Sequence, residues 1–446
     1  YCDDVYAFAA LEFVRRQSLN YKATGQPFFG LLACQIPHAP FDEIDQLPEW
    51  DKAYRNHSQF SQLSEQSRLW AAMVTRIDAH FGNILDALED PNGDGDKSDS
   101  VADNTLVIFQ SDNGGPKGKS REEFAANGGL RASKGSIEDG GIRVPTIMRW
   151  PSKITGRSKL KIGTSTSLVI DVTDLLPTFC DLAGVPAPLG IDGVSIAPTL
   201  IGIGHQRRRE FLIHEAKNGQ SIIRGSHKLI RRKKGFELYD LAADHAEEND
   251  LAAGQAVLVA ELMELLLGER VAEERGFANT YHHWTGENRA KTSDADNWSD
   301  YEYANAGITY MTDAGAPRLS WIALMEHSGP ASSRATAAAD LEVLALELRG
   351  ALRLALLSGV NLTARNGIRL SPKASLLVNG GTVSTLRWID IETKATLRGT
   401  GIIEGRVYSQ GTISNLKGPL WLKSDYRELE SARLKLTLSK PNQAAL

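Results

Sequence analysis

Apolar positions along the chain follow several different patterns. Over residues 5–16 they recur at helical spacing, with Val5, Phe8, Ala9 and Phe13 on one side. After Ser64, a candidate N-cap, Leu69, Met73, Ile77, Ile84 and Leu88 line one face of a longer helix. Between and beyond these lie continuous apolar runs of strand length: PFFGLLAC at 27–34, TLVIFQ at 105–110 and VPTIMRW at 144–150. Runs of this kind predict buried strands. Residues 171–183 read as a helix stopped by Gly184 and Pro186. The stretch SIIRGSHKLIRRKKGFELYDL, 221–241, predicts a small antiparallel meander turning at Gly225 and Gly235, and a helix over about 255–274 follows it.

The pattern changes near Gly276. Trp284, Trp298 and Trp321 stand among small polar residues, and beyond Leu341 short apolar steps are separated by Gly and Asn. The phrases GVNLTA, NGGTVS, GTGIIEG and QGTISN recur at short intervals with no helical period. Such repetition predicts a β-solenoid whose rungs stack, rather than a sandwich. The tryptophans then serve to plug an end rung. The expected organisation is an α/β domain over 1–205, a subdomain of small antiparallel sheet plus helix over 206–274, and an all-β, solenoid-like domain over 275–446.

Composition narrows the function. A formal charge of −5 over 446 residues argues against general nucleic-acid binding. No apolar run approaches a membrane span; the one at 262–267 is interrupted by Glu264. Cys2, Cys34 and Cys180 form neither a disulfide framework nor a metal pair. The chain opens on Tyr1 without a visible signal peptide, which suggests a missing beginning or a processed form.

The candidate chemistry sits at the ends of the apolar runs. Ser111-Asp112-Asn113-Gly114-Gly115 follows the second run. By itself it fits a tight turn or a hard-metal site, since Asp and Asn oxygens suit Ca²⁺ or Mg²⁺. His38 lies between Pro37 and Ala39-Pro40 after the first run, and Lys134 lies in a glycine-rich loop before the third. Taken alone, His38 reads as a residue fixed in a proline-flanked loop and Lys134 as a solvated lysine.

The ordered set PFFGLLACQIPHAP, SDNGG, NGGLRASKGSIEDGGIRVPTIMRWP, DVTDLLPTFCDLAGVP, IDGVSIAPTLIG and GSHKLI…ELYDL resembles the formylglycine-dependent sulfatases of the alkaline-phosphatase superfamily over roughly residues 1–253. The resemblance implies an alkaline-phosphatase-like sheet flanked by helices, incomplete at its N-terminal side. It implies Asp112 and Asn113 as ligands of a divalent cation, usually calcium. It implies Lys134 as a contact to the sulfate and His38 as a hydrogen-bond or proton donor there. The expected reaction is sulfate-ester hydrolysis, with sulfated polysaccharide among the candidate partners.

The family also carries an early aspartate pair on a strand and a Cys-x-Pro-Ser-Arg motif whose cysteine becomes formylglycine. None of the three cysteines stands in that motif. Asp3-Asp4 reads as the acidic first turn of a helix rather than as the strand pair. The chain is therefore expected to begin partway through the catalytic domain and to be inactive by itself. A non-catalytic surface or carbohydrate-binding protein on a decayed sulfatase scaffold stays open. So does a related phosphatase, phosphodiesterase or phosphoethanolamine transferase. An extracellular, periplasmic or cell-surface location is expected, and the oligomeric state is left open. Glu138-Asp139 departs from the aromatic-Glu pair usual in the family. The loop 90–100, DPNGDGDKSDS, reads as a solvated acidic insertion in preference to a calcium loop, because Val101 stands where a bidentate acid is needed. The basic runs 205–209 and 228–234 read as solvated faces in preference to polysaccharide contacts.

Overall fold

The computed structural model describes residues 2–38, 54, 57–155, 162–185, 187–188, 191–202, 204–269, 280–300, 321–327, 329, 331–423, 426–428 and 432–435. Two compact units emerge. One comprises Tyr1–Leu168 with Ala197–Leu266, the other Val169–Ile196 with Leu267–Leu446. This division runs differently from the linear boundaries expected at 205 and 274.

The first unit is α/β. Helix α1 (Cys2–Thr24) and helix α2 (Glu65–Glu89) are its longest elements. Ser64 caps α2 by accepting the Ser67 N–H, and Leu69, Met73 and Leu88 are buried as the periodicity requires. Helix α1 turns a different face inward from the one expected. Val5 and Phe8 are exposed, while Asp3, Ala7 and Ser18 are buried. The reason is polar anchoring: Asp3 Oδ1 accepts from Gln35 N at 2.7 Å, and Asp4 pairs with the buried Arg76 of α2 and with His80 at 3.1 Å. Hydrogen-bonded charge outweighs two apolar side chains in choosing the inward face.

The strand expectations hold in part. Strand β1 (Val107–Gln110) pairs antiparallel with β2 (Thr146–Arg149), in register Val107↔Arg149 to Gln110↔Thr146. Residues 27–34 form no strand; they run as extended coil with Phe29 and Leu31 exposed. Both strands are only partly buried, and Ile147 is exposed. An apolar run signals burial only when layers exist to cover it, and this two-stranded ribbon has two open edges. The meander forms as expected: β3 (Leu212–Ala216), β4 (Gly219–Arg224), β5 (His227–Arg232) and β6 (Gly235–Asp240) pair in sequence order, all antiparallel. Ile222, Leu229 and Leu238 on its inner face pack against Val259, Leu262 and Leu266 of helix α3 (Ala256–Glu269).

The second unit is a parallel β-solenoid with three faces. The first face stacks Leu346, Ile368, Ile389 and Val407 inward. The second stacks Leu354, Leu376, Leu397 and Ile413. The third stacks Leu341, Leu362, Val383 and Ile403. These columns form one continuous core. The period-two alternation sends every second side chain inward, and parallel pairing places like residues one above another. Corners need special residues. A Cβ on Gly399, at φ 137°, would stand 1.8 Å from Val378 O. Asp340 and Asn361 stack at another corner, Asn361 N donating to Asp340 Oδ1 at 2.8 Å and Asn361 Oδ1 accepting Thr382 N at 2.9 Å.

Trp284, Trp298 and Trp321 are buried in this core, as expected of an end plug. Their rings meet edge to face at 5.2 and 5.8 Å, and His282 stacks flat on Trp321 at 3.4 Å. Trp298 Nε1 donates to Thr292 O at 2.9 Å, so the polar handle is satisfied. Trp321→Ala is expected to destabilise the solenoid by about 3–5 kcal/mol. Denaturant unfolding of the variant measures this; a loss below 1 kcal/mol would remove the plug role.

Candidate active site

The SDNGG stretch leaves β1 and is fixed at once by close backbone packing. Gly114 N donates to Gly141 O at 2.9 Å. A Cβ on Gly114 would stand 2.0 Å from Gly140 O, and one on Gly115 would stand 2.0 Å from Asn127 Oδ1. Only glycine lets the two loops approach this closely. Lys134 N then donates to Gly115 O at 3.1 Å. The backbone therefore ties the Lys134 loop directly to the loop of Asp112 and Asn113. Asp112 is exposed and Asn113 half-buried, and Asn113 Nδ2 donates to Asp112 Oδ1 at 2.7 Å. Ser111 Oγ donates to Asn113 O at 2.9 Å and steadies the turn.

His38 has its own anchor. Its N–H closes a turn onto Gln35 O at 3.0 Å, after the cis Ile36–Pro37 peptide. Ile36 is buried against Leu69 and Met73 of α2, and its N–H, with that of Gln35, is held by Asp3. The structure thus joins the loop of Lys134 to that of Asp112 and Asn113 through backbone, and carries exposed His38 on a turn anchored to α1 and α2. Residues 39–50, including Pro40, lie outside the described residues.

A feature that sequence reasoning missed holds the Lys134 loop from below. Lys228 of β5 is fully buried. Its Nζ lies 2.7 Å from Asp139 Oδ1 and 2.8 Å from Glu247 Oε1, both carboxylates being buried. Glu247 Oε2 also accepts Asp139 N–H at 2.8 Å. Beside this triad, Arg232 spans Glu138 at 2.6 Å and Glu237 at 2.8 Å. Arg131 Nη1 reaches Glu237 at 2.9 Å and Tyr239 Oη at 2.6 Å. The run 228–234 is therefore no solvated face at Lys228 and Arg232, a correction to the expectation. The Glu138-Asp139 departure also gains its reason: each carboxylate anchors one cation of β5. The sequence carries no local signal for it: Lys228 precedes Leu229-Ile230, Arg232 lies in a basic run, and alternation alone does not reveal a buried partner.

Electrostatics follow from this packing. Burial pushes Glu247 up against the pull of Lys228. Burial also works to raise Glu237, but hydrogen bonds from Arg232, Tyr239 and Arg131 outweigh it and hold the carboxyl at about 2. Burial and the neighbouring Glu237 push the Tyr239 hydroxyl up to about 12. Local shielding, with the Asp3 carboxylate, pushes the Cys34 thiol up, the opposite of what a thiolate nucleophile requires.

Asp112 and Asn113 offer one carboxylate and one amide oxygen. Calcium takes about 6–8 oxygens, and among the described residues no group of three His, Cys, Asp or Glu is disposed to hold a metal. The described residues alone do not complete a calcium site. In the 90–100 loop, Asp90 accepts from Gly93 N at 2.8 Å and Gly95 N at 2.9 Å, and Asp96 accepts from Ser98 N at 3.0 Å, so the acidic side chains close the loop on itself.

A family model described as Sulfatase matches residues 2–185, and one described as N-sulphoglucosamine sulphohydrolase, C-terminal, matches residues 133–272. Residues 2–272 belong to the sulfatase family. A sulfatase from Formosa agariphila is 36% identical over 255 residues, covering 51% of this chain and 42% of that protein. Human N-acetylgalactosamine-6-sulfatase is 30% identical over 227 residues, covering 50% of this chain and 37% of its own length. The chain thus matches less than half the length of these relatives. The crystal structure of Ps i-CgsB is 26% identical, covers 60% of this chain and 55% of its own, and superposes with a TM-score of 0.48. The sulfatase assignment and the buried ion network coincide over residues 131–247.

Two outcomes are expected from the network. Lys228→Met leaves the buried Glu247 carboxylate without its counter-charge and Asp139 with only the exposed Arg143 at 3.5 Å, and should cost about 3–5 kcal/mol. Part of that loss should return as pH falls and Glu247, already pushed up by burial, takes up a proton; thermal melts at pH 7 and pH 5 measure both. The Glu237 carboxyl is held below its unfolded value of 4.5. Its contribution is full above that value and is lost as pH falls towards about 2. The stability gap between wild type and Glu237→Gln should therefore narrow over this window, and a constant gap would contradict the arrangement.

Proposed function

We propose that this chain serves a sulfatase that hydrolyses sulfate esters of carbohydrates. The observation that carries the reading is the direct tie between the two loops, Lys134 N–H to Gly115 O at 3.1 Å. It joins the loop that bears Lys134 to the loop that bears Asp112 and Asn113, which supports a cation and metal-type oxygens serving one anionic sulfate. In this reading Lys134 holds a sulfate oxygen as a compact point charge. His38 gives its proton to the departing sugar oxygen as the S–O bond breaks. Asp112 and Asn113 face a divalent cation, calcium by family resemblance, within a larger ligand set. When bound, such a cation neutralises charge on the ester. The names of the relatives, among them N-acetylgalactosamine-6-sulfatase, support a sulfated sugar as substrate. Among the described residues no helix is long and apolar enough to cross a membrane, and a polymeric sulfated substrate favours a site of action outside the cytoplasm.

None of the three cysteines in the sequence is followed by x-Pro-Ser-Arg. The purified 446-residue chain is therefore expected to leave 4-nitrophenyl sulfate intact. Turnover by it would relocate the nucleophile. In the product of the complete coding region, Lys134→Ala should lower kcat/KM for a sulfated oligosaccharide by about 10²–10³. An unchanged value would sink the role given to Lys134.

A further inference from the structure

The outer surface of the solenoid sorts its charges by face. On the second face, the in-register outward row begins with Arg334 beside Arg353 and ends, beyond Ser375, Thr396 and Thr412, on Arg433. The neighbouring outward row carries Arg398 and Lys435, and Lys291 bridges to its first member, Thr336. No aspartate or glutamate occurs in any strand segment of this face: SRATA, LRLAL, SLLV, TLRG, TISN and RLK. The third face differs, its outward row running Glu342, Thr363, Ser384, Glu404.

Like charges opposite one another on adjacent strands repel. Arg334 and Arg353 are nevertheless direct neighbours on strands about 4.8 Å apart. Both are exposed, and no ion pair with a described carboxylate forms at either. The whole chain carries a formal charge of −5, so this positive strip departs from its average. The strip spans five inter-strand steps, roughly 24 Å, on a rigid sheet. A single small anion meets only one pair of these cations; a linear polyanion meets both ends of the row at once.

We propose that the second face of the solenoid binds a linear sulfated polysaccharide along the Arg334–Arg353–Arg433 row. The choice of sulfate as the anion rests on the function proposed above; the charge pattern itself does not.

The test uses the full chain and immobilised dextran sulfate, with unsulfated dextran as control, at rising NaCl. Binding to dextran sulfate should weaken steeply with salt, and unsulfated dextran should retain nothing. Arg334→Glu/Arg353→Glu should weaken binding roughly tenfold or more, whereas Arg16→Glu/Lys153→Glu, with the same change in net charge, should stay within about twofold. Arg353→Thr should bind less while melting no lower than wild type, because it relieves repulsion. Equal losses in the two double variants, equal retention on unsulfated dextran, or tighter binding of double-stranded DNA would overturn the proposal. Face-dependent binding that persists in a Lys134→Ala chain separates the two readings. A failure of the role given to Lys134 leaves this binding test standing, and unchanged binding in Arg334→Glu/Arg353→Glu overturns only the face.

Discussion

Lys228 carries its charge into a fully buried place, and Asp139 and Glu247 go in with it. Three ionised groups in a buried site are tolerated only if each is matched, because the cost of stripping water from an unpaired charge exceeds most other single terms. The match here is tight. Both carboxylates touch one ammonium, and the second oxygen of Glu247 takes the backbone N–H of Asp139. The packing of the loop that bears Lys134 depends on this arrangement, since that loop is joined at its far end to strand β5 through Asp139 and Glu138. The pairs of Arg232 and Arg131 widen the attachment into a sheet-to-loop seam.

From the seam, constraint passes inward through backbone alone. Gly140 and Gly141 lie against the Asp112–Gly115 turn, and the absence of a side chain at Gly114 sets the distance between the two loops. The loops of Asp112–Asn113 and Lys134 are thus joined to each other and, through Glu138 and Asp139, to a salt-linked meander more than 90 residues further along the chain. Within the seam, hydrogen bonds from Arg232, Tyr239 and Arg131 hold Glu237 at about 2, and burial together with Glu237 pushes the Tyr239 hydroxyl up to about 12, so this pair keeps its protonation over the neutral range.

Much of this was legible in the residues. Ser64 announced α2, Gly225 and Gly235 announced the hairpins, and the Gly- and Asn-punctuated steps beyond Leu341 announced the stacked rungs. Each is a local signal with a local cause. What failed to show were matters of partnership. Residues 27–34 have the composition of a core strand, yet only Phe28 packs on a core cluster while Phe29 and Leu31 stay exposed, because burial belongs to the neighbours and not to the run itself. Val5 and Phe8 lost the inner face of α1 to Asp3 and Asp4, whose partners lie more than 30 residues away. Lys228 looked solvated because nothing in its own strand reveals two carboxylates arriving from elsewhere. The order of the motifs pointed to the sulfatase family; the seam beneath the Lys134 loop has no such local signal.

The stretch Val169–Ile196 lies in the sulfatase-like part of the sequence but belongs to the solenoid unit. Arg369 donates to Ala187 O at 2.9 Å, and the buried Arg387 reaches Asp192 at 3.4 Å. Within the stretch, Asp174 and Thr178 hold the N–H groups of Val194 and Ile196. Anyone wishing to express the enzyme-like portion separately by cutting near residue 275 would strip this segment of its seat and leave Arg387 absent from Asp192. The scissor line is thus not the point where helical sequence gives way to repeats, because two arginines of the repeats hold a segment that precedes them by more than 180 residues.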